Sequence, residues 1–441
     1  MQKNKKIVIL GGGTGTSFVL KGLKYFPVDI TAVITVSDDG SSTGRLRKEF
    51  STPAVGDIRK VLSNLSTLPD EVRDVMEYRL STYSELNGHA LGNLILTSLI
   101  HETGSLQTSI KYLSKILDVK HKVLPLSEDC FLTLMGETTE GEVIEGEEEI
   151  TKANKKYRRF FYKEDPHVLP EVFDAIADAD LIILSMGSLY TSVMPHIICK
   201  DVATAIKNAK GKVMYICNAV TQPGETDGFG VSDHINVLEQ YLGKDSIDVV
   251  IASNTKIPKE LIKKYETEEQ KDIVPIDYDN IKKGKYELIE DDLITTTDGT
   301  IKHNSLKLSS VIFSYLMRWN SWHSDKDKLY LISCCIWNKL KKPLGGMNMK
   351  RYEVYWGGFL LGRLTVDGEK HKYEVVAETI DKVTKSLILD PAVEKSYDGE
   401  VIPFFKSLIE ASDGKASDMY RLAEVKSFEK SSAWLAQLFF I

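Results

Sequence analysis

Along the first 318 residues, apolar positions fall into short unbroken runs, each closing on a cluster of glycine and polar residues. KKIVILGGG, DITAVITVSDDG, DADLIILSMGS, GKVMYICNAV and DSIDVVIASN are the five such runs. Side chains of a strand point alternately to its two faces, so consecutive apolar residues predict strands covered on both sides. Between the runs, apolar residues recur at three- and four-residue intervals. That period predicts helices over 16–25, 57–66, 91–101, 171–177, 202–209 and 232–242. Strand and helix in alternation predict an α/β fold, doubly wound and mostly parallel. The interval 118–165 breaks the pattern. KHKVLPLS, CFLTLMG and EGEVIEGEEEI read as an antiparallel β excursion, with the acidic run 137–149 as its solvated hairpin face.

The pattern changes again after residue 318. All five tryptophans (319, 322, 337, 356, 434) lie beyond it. Residues 319–441 carry 18 Lys+Arg against 17 Asp+Glu, net +1, leaving 38 against 46, net −8, for residues 1–318. A domain over 1–318, a linker over 319–348 and a small α+β module over 349–441 are expected. In that module, three antiparallel strands turn at Gly357-Gly358 and Asp367-Gly368, and a helix follows over 400–412.

Composition narrows the classes. With 42% hydrophobic and 27% charged residues and no apolar run near the roughly 20 residues that cross a bilayer, a soluble, cytoplasmic chain without a membrane span is expected. A net charge of −7 recommends neither nucleic acid nor an anionic membrane as partner. Five cysteines without a CxxC pair and nine histidines without HExxH spacing give no zinc or disulfide framework.

Candidate chemistry gathers where strands end, which is where open α/β sheets hold ligands. GGGTGTSF follows the first strand and opens a helix, so Gly11, Gly12, Gly13, Thr14 and Gly15 offer backbone N–H groups to a phosphate. It is neither a GxGxxG fingerprint, since Thr16 stands at the third glycine, nor a P-loop, since no GK[ST] exists. In VSDDGSSTGRLRKEF, Asp38 and Asp39 suit ribose hydroxyls or a divalent cation, with Arg45 and Arg47 within reach of phosphate. In VGDIRK, Asp57 opens a helix, and a helix cap explains it as well as a ligand does. NGHALGNL places Gly92 and Asn93 in the polar start of an apolar helix, where a glycine costing about 1 kcal/mol implies a close approach. MGSLYTSVMPHI brings Gly187, Ser188 and Tyr190. NAVTQPGETDGF packs Asn218, Thr221, Gln222, Glu225, Thr226 and Asp227 around Pro223-Gly224, a density of hydrogen-bonding groups suited to reading a sugar or a base edge.

Taken in order, GGGTG, SDDGSSTGRLR, VGDIRK, GHALGNL, GSLYTS, CNAVTQPGETDGF and TTDGTIKHNSLKLS resemble the YvcK-type gluconeogenesis factors, relatives of the 2-phospho-lactate transferase CofD, over about residues 5–315. The resemblance implies a Rossmann-like fold, a cytoplasmic location and a ligand of the UDP-sugar type. It also implies a role in cell shape and wall synthesis on gluconeogenic carbon, with cell-wall or morphogenesis proteins as partners and homo-oligomerisation left open. In the transferase relatives Mg²⁺ is held by aspartates, and Asp38, Asp39 and Asp57 would take that role here if the chain were transferase-like. Ser185-Met186 and Val55 depart from the family's Gly-Pro and Pro at those positions. The residues show no nucleophile with a partnered base, so no catalytic residue is assigned and a regulatory binder leads over a Mg-dependent transferase. The tail lies outside this resemblance and is faintly similar to the N-terminal module of HipA-type toxins.

Overall fold

The computed structural model describes residues 4–296, 299–318, 349–356, 359–367 and 370–375. The chain forms two compact units, one of Met1–Lys24 and Val28–Leu308, the other of Tyr25–Pro27 and Ser309–Ile441. Strands of the first unit, in chain order, are β1 (Lys5–Gly11), β2 (Val28–Ile34), β3 (Lys122–Pro125), β4 (Leu134–Thr138), β5 (Val143–Glu145), β6 (Tyr157–Tyr162), β7 (Leu181–Leu184), β8 (Lys212–Ile216), β9 (Val249–Ser253) and β10 (Glu287–Asp291). Seven of these form one parallel sheet in the order β10-β9-β8-β7-β1-β2-β3. A short ribbon, β11 (Ile294–Thr295) with β12 (Lys302–His303), closes the unit's strand list.

The sheet is a Rossmann-like core built by apolar runs. Ile7, Ile9, Leu10, Ile34 and all four residues of β7 are buried, and the register sets Ile7 beside Ile30 on one side and Leu181 on the other. Parallel neighbours need crossover helices. These begin with α1 (Gly13–Leu23), α2 (Ser41–Phe50), α3 (Gly56–Leu65), α4 (Asp70–Glu77), α5 (Leu91–Thr103) and α6 (Leu106–Ile116). From β1 the chain builds outward through β2 to β3, then returns to the other side of β1 and builds outward from β7 to β10. The direction of growth therefore reverses between β1 and β7, which opens a crevice at the carboxyl ends of those two strands.

All five strands read from apolar runs are present as β1, β2, β7, β8 and β9. The 118–165 interval differs from expectation in two ways. KVLP joins the main sheet as the parallel edge strand β3, because Val123 pairs with Ala32 and both it and Leu124 are buried. The excursion proper is the antiparallel sheet β5-β4-β6, and the acidic segment after Gly146 coils into α7 (Glu147–Lys152) instead of extending the hairpin. Strand β10 was not legible, since ELIED is an edge strand whose outer residues meet water. Beyond β6 the flanking helices continue as α8 (Pro170–Ala177), α9 (Met194–Ile197), α10 (Lys200–Asn208) and α11 (Val231–Leu242).

In the second unit, β13 (Met349–Trp356), β14 (Phe359–Asp367) and β15 (Lys370–Val375) form an antiparallel meander, as the turn glycines predict. The linker expected over 319–348 and the helix over 400–412 lie outside the described residues. Among the described residues no helix is long and apolar enough to cross a membrane.

Candidate functional site

The crevice between β1 and β7 is floored by the glycine loop. Helix α1 starts at Gly13, its N-cap is Gly12, and no side chain caps it. Its first N–H groups thus point out of the helix with about half a positive charge and no protein acceptor from a cap. Absence of side chains is a packing requirement here. A β-carbon on Gly12 would stand 2.6 Å from Ser192 Oγ, on Gly13 2.4 Å from Asp57 Oδ1, and on Gly15 1.7 Å from the Met186 carbonyl oxygen. The loop is therefore pressed between the first turn of α3 and the segment leaving β7. One turn after Asp57, Lys60 Nζ lies 3.0 Å from Asp57 Oδ1 and 3.3 Å from Thr14 Oγ1, bridging α3 to the start of α1.

Acidic groups crowd the same end of the sheet. Burial, and next the charge of Asp57, hold the Asp38 carboxyl above its ordinary range. Glu147, the first residue of α7, is pushed well above the usual carboxylate range by burial and then by Asp38 and Asp57; its Oε2 is buried with no hydrogen-bond partner. Asp39 is spent on structure: its Oδ1 accepts from Glu148 N at 2.9 Å, tying α7 to the end of β2. Asp38 Oδ1 accepts from Gly40 N at 3.0 Å, and Asp57 is paired to Lys60. Among the described residues no group of three or more His, Cys, Asp or Glu side chains is arranged to hold a metal ion. Of the three aspartates named for Mg²⁺, Asp39 is tied to α7 and Asp57 to Lys60, and Asp38 and Asp57 stay close enough for the charge of Asp57 to act on Asp38.

The loops after β7 and β8 are stitched together on one side of the crevice. Asn218 Oδ1 accepts from Gly187 N at 3.0 Å, and its Nδ2 donates to Gly187 O at 2.6 Å. Ser188 Oγ donates to Glu225 Oε2 at 2.5 Å, while Gln222 Nε2 donates to Glu225 Oε1 at 2.6 Å. Thr226 Oγ1 and Asp227 Oδ2 accept from Gln222 N and Gly224 N and shape their own loop, while Thr221 Oγ1 accepts from Asp272 N and ties that loop to a later segment. Tyr190 packs against Phe160 with ring centroids 4.5 Å apart and planes tilted by 31°, joining the excursion to this wall.

Burial raises Glu225 to about 7, against 4.5 ordinarily. Between those values the folded chain keeps a proton that the unfolded chain has lost, so this contribution is full below the unfolded value and is lost as pH rises through about 7. Unfolding by urea between about pH 5 and pH 8 should show the wild type losing about 2 kcal/mol more than Glu225→Gln. Buried His196, pushed down to about 4, works in the opposite sense but equally in both proteins. Parallel slopes would remove Glu225 from this role.

Other expected residues lie elsewhere. Arg45 is exposed and donates to the carbonyls of Glu85 and Asn87. Buried Arg47 donates to the carbonyls of Ser37, Asp38, Cys130 and Leu132, fastening the excursion to the sheet. Asn93 Nδ2 donates to Ser42 Oγ, which also bonds His89 Nδ1, inside the packing of α5 on α2. Gly92 makes room for Met76 and for Arg59, whose guanidinium pairs with Glu77. Lys60, Glu147, Thr191 and Ser192 were not singled out from the sequence. Only Lys60 carried a signal, its i,i+3 spacing from Asp57.

Residues 7–294 match the family model described as 2-phospho-L-lactate transferase CofD. The gluconeogenesis factor of Bacillus subtilis is 40% identical over 319 residues, 72% of this chain and 99% of that protein. The gluconeogenesis factor of Halalkalibacterium halodurans is 39% identical over 320 residues, again 72% of this chain and 99% of the relative. A crystal structure of a UPF0052-family protein from Bacillus halodurans aligns with a TM-score of 0.68 at 38% identity, covering 71% of this chain and all of that one. With the reversal point, glycine loop and paired polar loops in the first unit, and relatives matched over nearly their whole length, the chain belongs to the gluconeogenesis factor family, which shares the CofD domain.

Proposed function

We propose that the first unit binds a nucleotide sugar of the UDP-sugar type in the β1/β7 crevice and acts in the cytoplasm as a regulatory factor for cell shape and wall synthesis during gluconeogenic growth. The supporting observation is that the uncapped end of α1 meets the polar loops of β7 and β8 at one reversal point. In this reading the α1 terminus takes the diphosphate and the 218–227 loop reads the uridine or the sugar. Binding is favoured over turnover by the state of Ser188. A serine beside a carboxylate lifted to about 7 suggests a nucleophile and its base, yet Ser188 Oγ accepts from both Thr191 N and Thr191 Oγ1. Both lone pairs are engaged, and the residue serves as a cap.

Calorimetry of the full chain against a panel of UDP-sugars tests the reading: saturable binding of one member supports it, and heat from none of them sinks it. Turnover of a nucleotide-activated phospho-donor would instead favour the transferase alternative. About 72% of this chain accounts for 99% of these two relatives, and the family model matches residues 7–294. A chain cut after Arg318 is therefore expected to stay soluble and to bind with the affinity of the whole protein. Aggregation or lost binding of that fragment would assign part of the core or pocket to the tail.

A further inference from the structure

We infer that Lys60 is the cation that neutralises the ligand's phosphates at the α1 terminus, a role that otherwise needs a divalent metal; this rests on the nucleotide-sugar reading above. A phosphate seated on the N–H groups of the glycine loop lies against the Asp57 carboxylate, whose atoms fill the space that a β-carbon on Gly12 or Gly13 would take. Asp38 and Glu147 add to the acidity there, and the buried Glu147 Oε2 has no partner. Bringing more negative charge into such a site is unfavourable without a local cation.

Candidates among the described cations of this region reduce to one. Arg45 and Arg47 are committed to backbone carbonyls and Arg59 to Glu77. Lys60 is paired as well, to Asp57, but of these four it is the one bonded to the start of α1, from the second turn of α3 with its stem half-buried. Its ammonium has three donors. One is directed at Asp57 Oδ1 and another lies near Thr14 Oγ1, so the third can reach a phosphate oxygen placed on the first turn of α1. Asp57 thereby acts as the residue that positions Lys60.

The test uses the full chain with three probes, UDP-glucose, inorganic pyrophosphate and uridine, titrated in excess EDTA and again in millimolar Mg²⁺. Wild-type affinity for UDP-glucose should agree within about twofold in the two buffers. Lys60→Met should weaken UDP-glucose and pyrophosphate by about tenfold or more, leave uridine and the melting temperature unchanged, and be rescued by Lys60→Arg. Wild-type binding that requires Mg²⁺, or a Lys60→Met variant that binds like wild type, overturns the inference while leaving the nucleotide-sugar reading intact. A wild type that binds neither UDP-glucose nor pyrophosphate overturns both.

Discussion

A valine at Gly15 is expected to cost the first unit about 3 kcal/mol or more and to lower its melting temperature by several degrees. Its β-carbon would stand 1.7 Å from the Met186 carbonyl oxygen and 2.5 Å from the carbonyl carbon. Both are backbone atoms of the segment leaving β7, so no rotamer change relieves the clash. Either α1 or that segment must move, and each is anchored in the sheet. Gly104→Ala is the matching control: φ there is +69° but nothing lies within 4 Å, so only the left-handed backbone penalty of about 1 kcal/mol applies. Thermal melts of both variants settle the comparison, and a Gly15→Val protein as stable as wild type would refute the close packing.

Gly12→Val should cost less stability than Gly15→Val while weakening UDP-sugar binding by about a hundredfold or more. Backbone at Gly12 is extended, with φ of −85°, a conformation open to any residue. Its β-carbon would meet Ser192 Oγ, Ser192 Cβ and Asp57 Oδ2, atoms of side chains and not the backbone carbonyl that Gly15 meets, so a smaller shift relieves the contact. What cannot turn aside is a phosphate required to touch the N–H groups behind them. Calorimetry paired with a melting curve separates the two outcomes. Unchanged affinity in a folded variant would dismiss the glycine loop as the phosphate site. Gly13 falls between the two cases, because its β-carbon would also lie 2.7 Å from the Asp57 Cα.

Legibility of the fold followed burial. Strands such as Leu181–Leu184, buried throughout, announce themselves as unbroken apolar runs. Lys122–Pro125 is only four residues long, and Glu287–Asp291 alternates little because one side of an edge strand faces water. Glu147 was hidden for another reason. A run of glutamates reads as a solvated face, and nothing local indicates that Asp39 accepts from Glu148 N, 109 positions away, and fixes the start of this helix against the end of β2. The two nearby arginines had equal claims on phosphate by spacing, and only tertiary packing separates Arg47, buried under carbonyls, from Arg45, exposed beside the 85–87 turn. Lys60 gains its meaning from Thr14, 46 positions earlier.

The reversal between β1 and β7 also bears on how the chain is made. Strand β1 leaves the ribosome before the rest of the sheet, and β2 can pair with it soon afterwards. Its other edge, in the interior of the finished sheet, has no partner until residues 181–184 have been synthesised. During that interval a nascent chain presents an apolar strand with unpaired N–H and C=O groups, the kind of edge that recruits foreign strands. Arrest of translation between β3 and β7 should therefore yield the most aggregation-prone intermediates. A ligand that needs both lips of the crevice can bind only after that edge has closed.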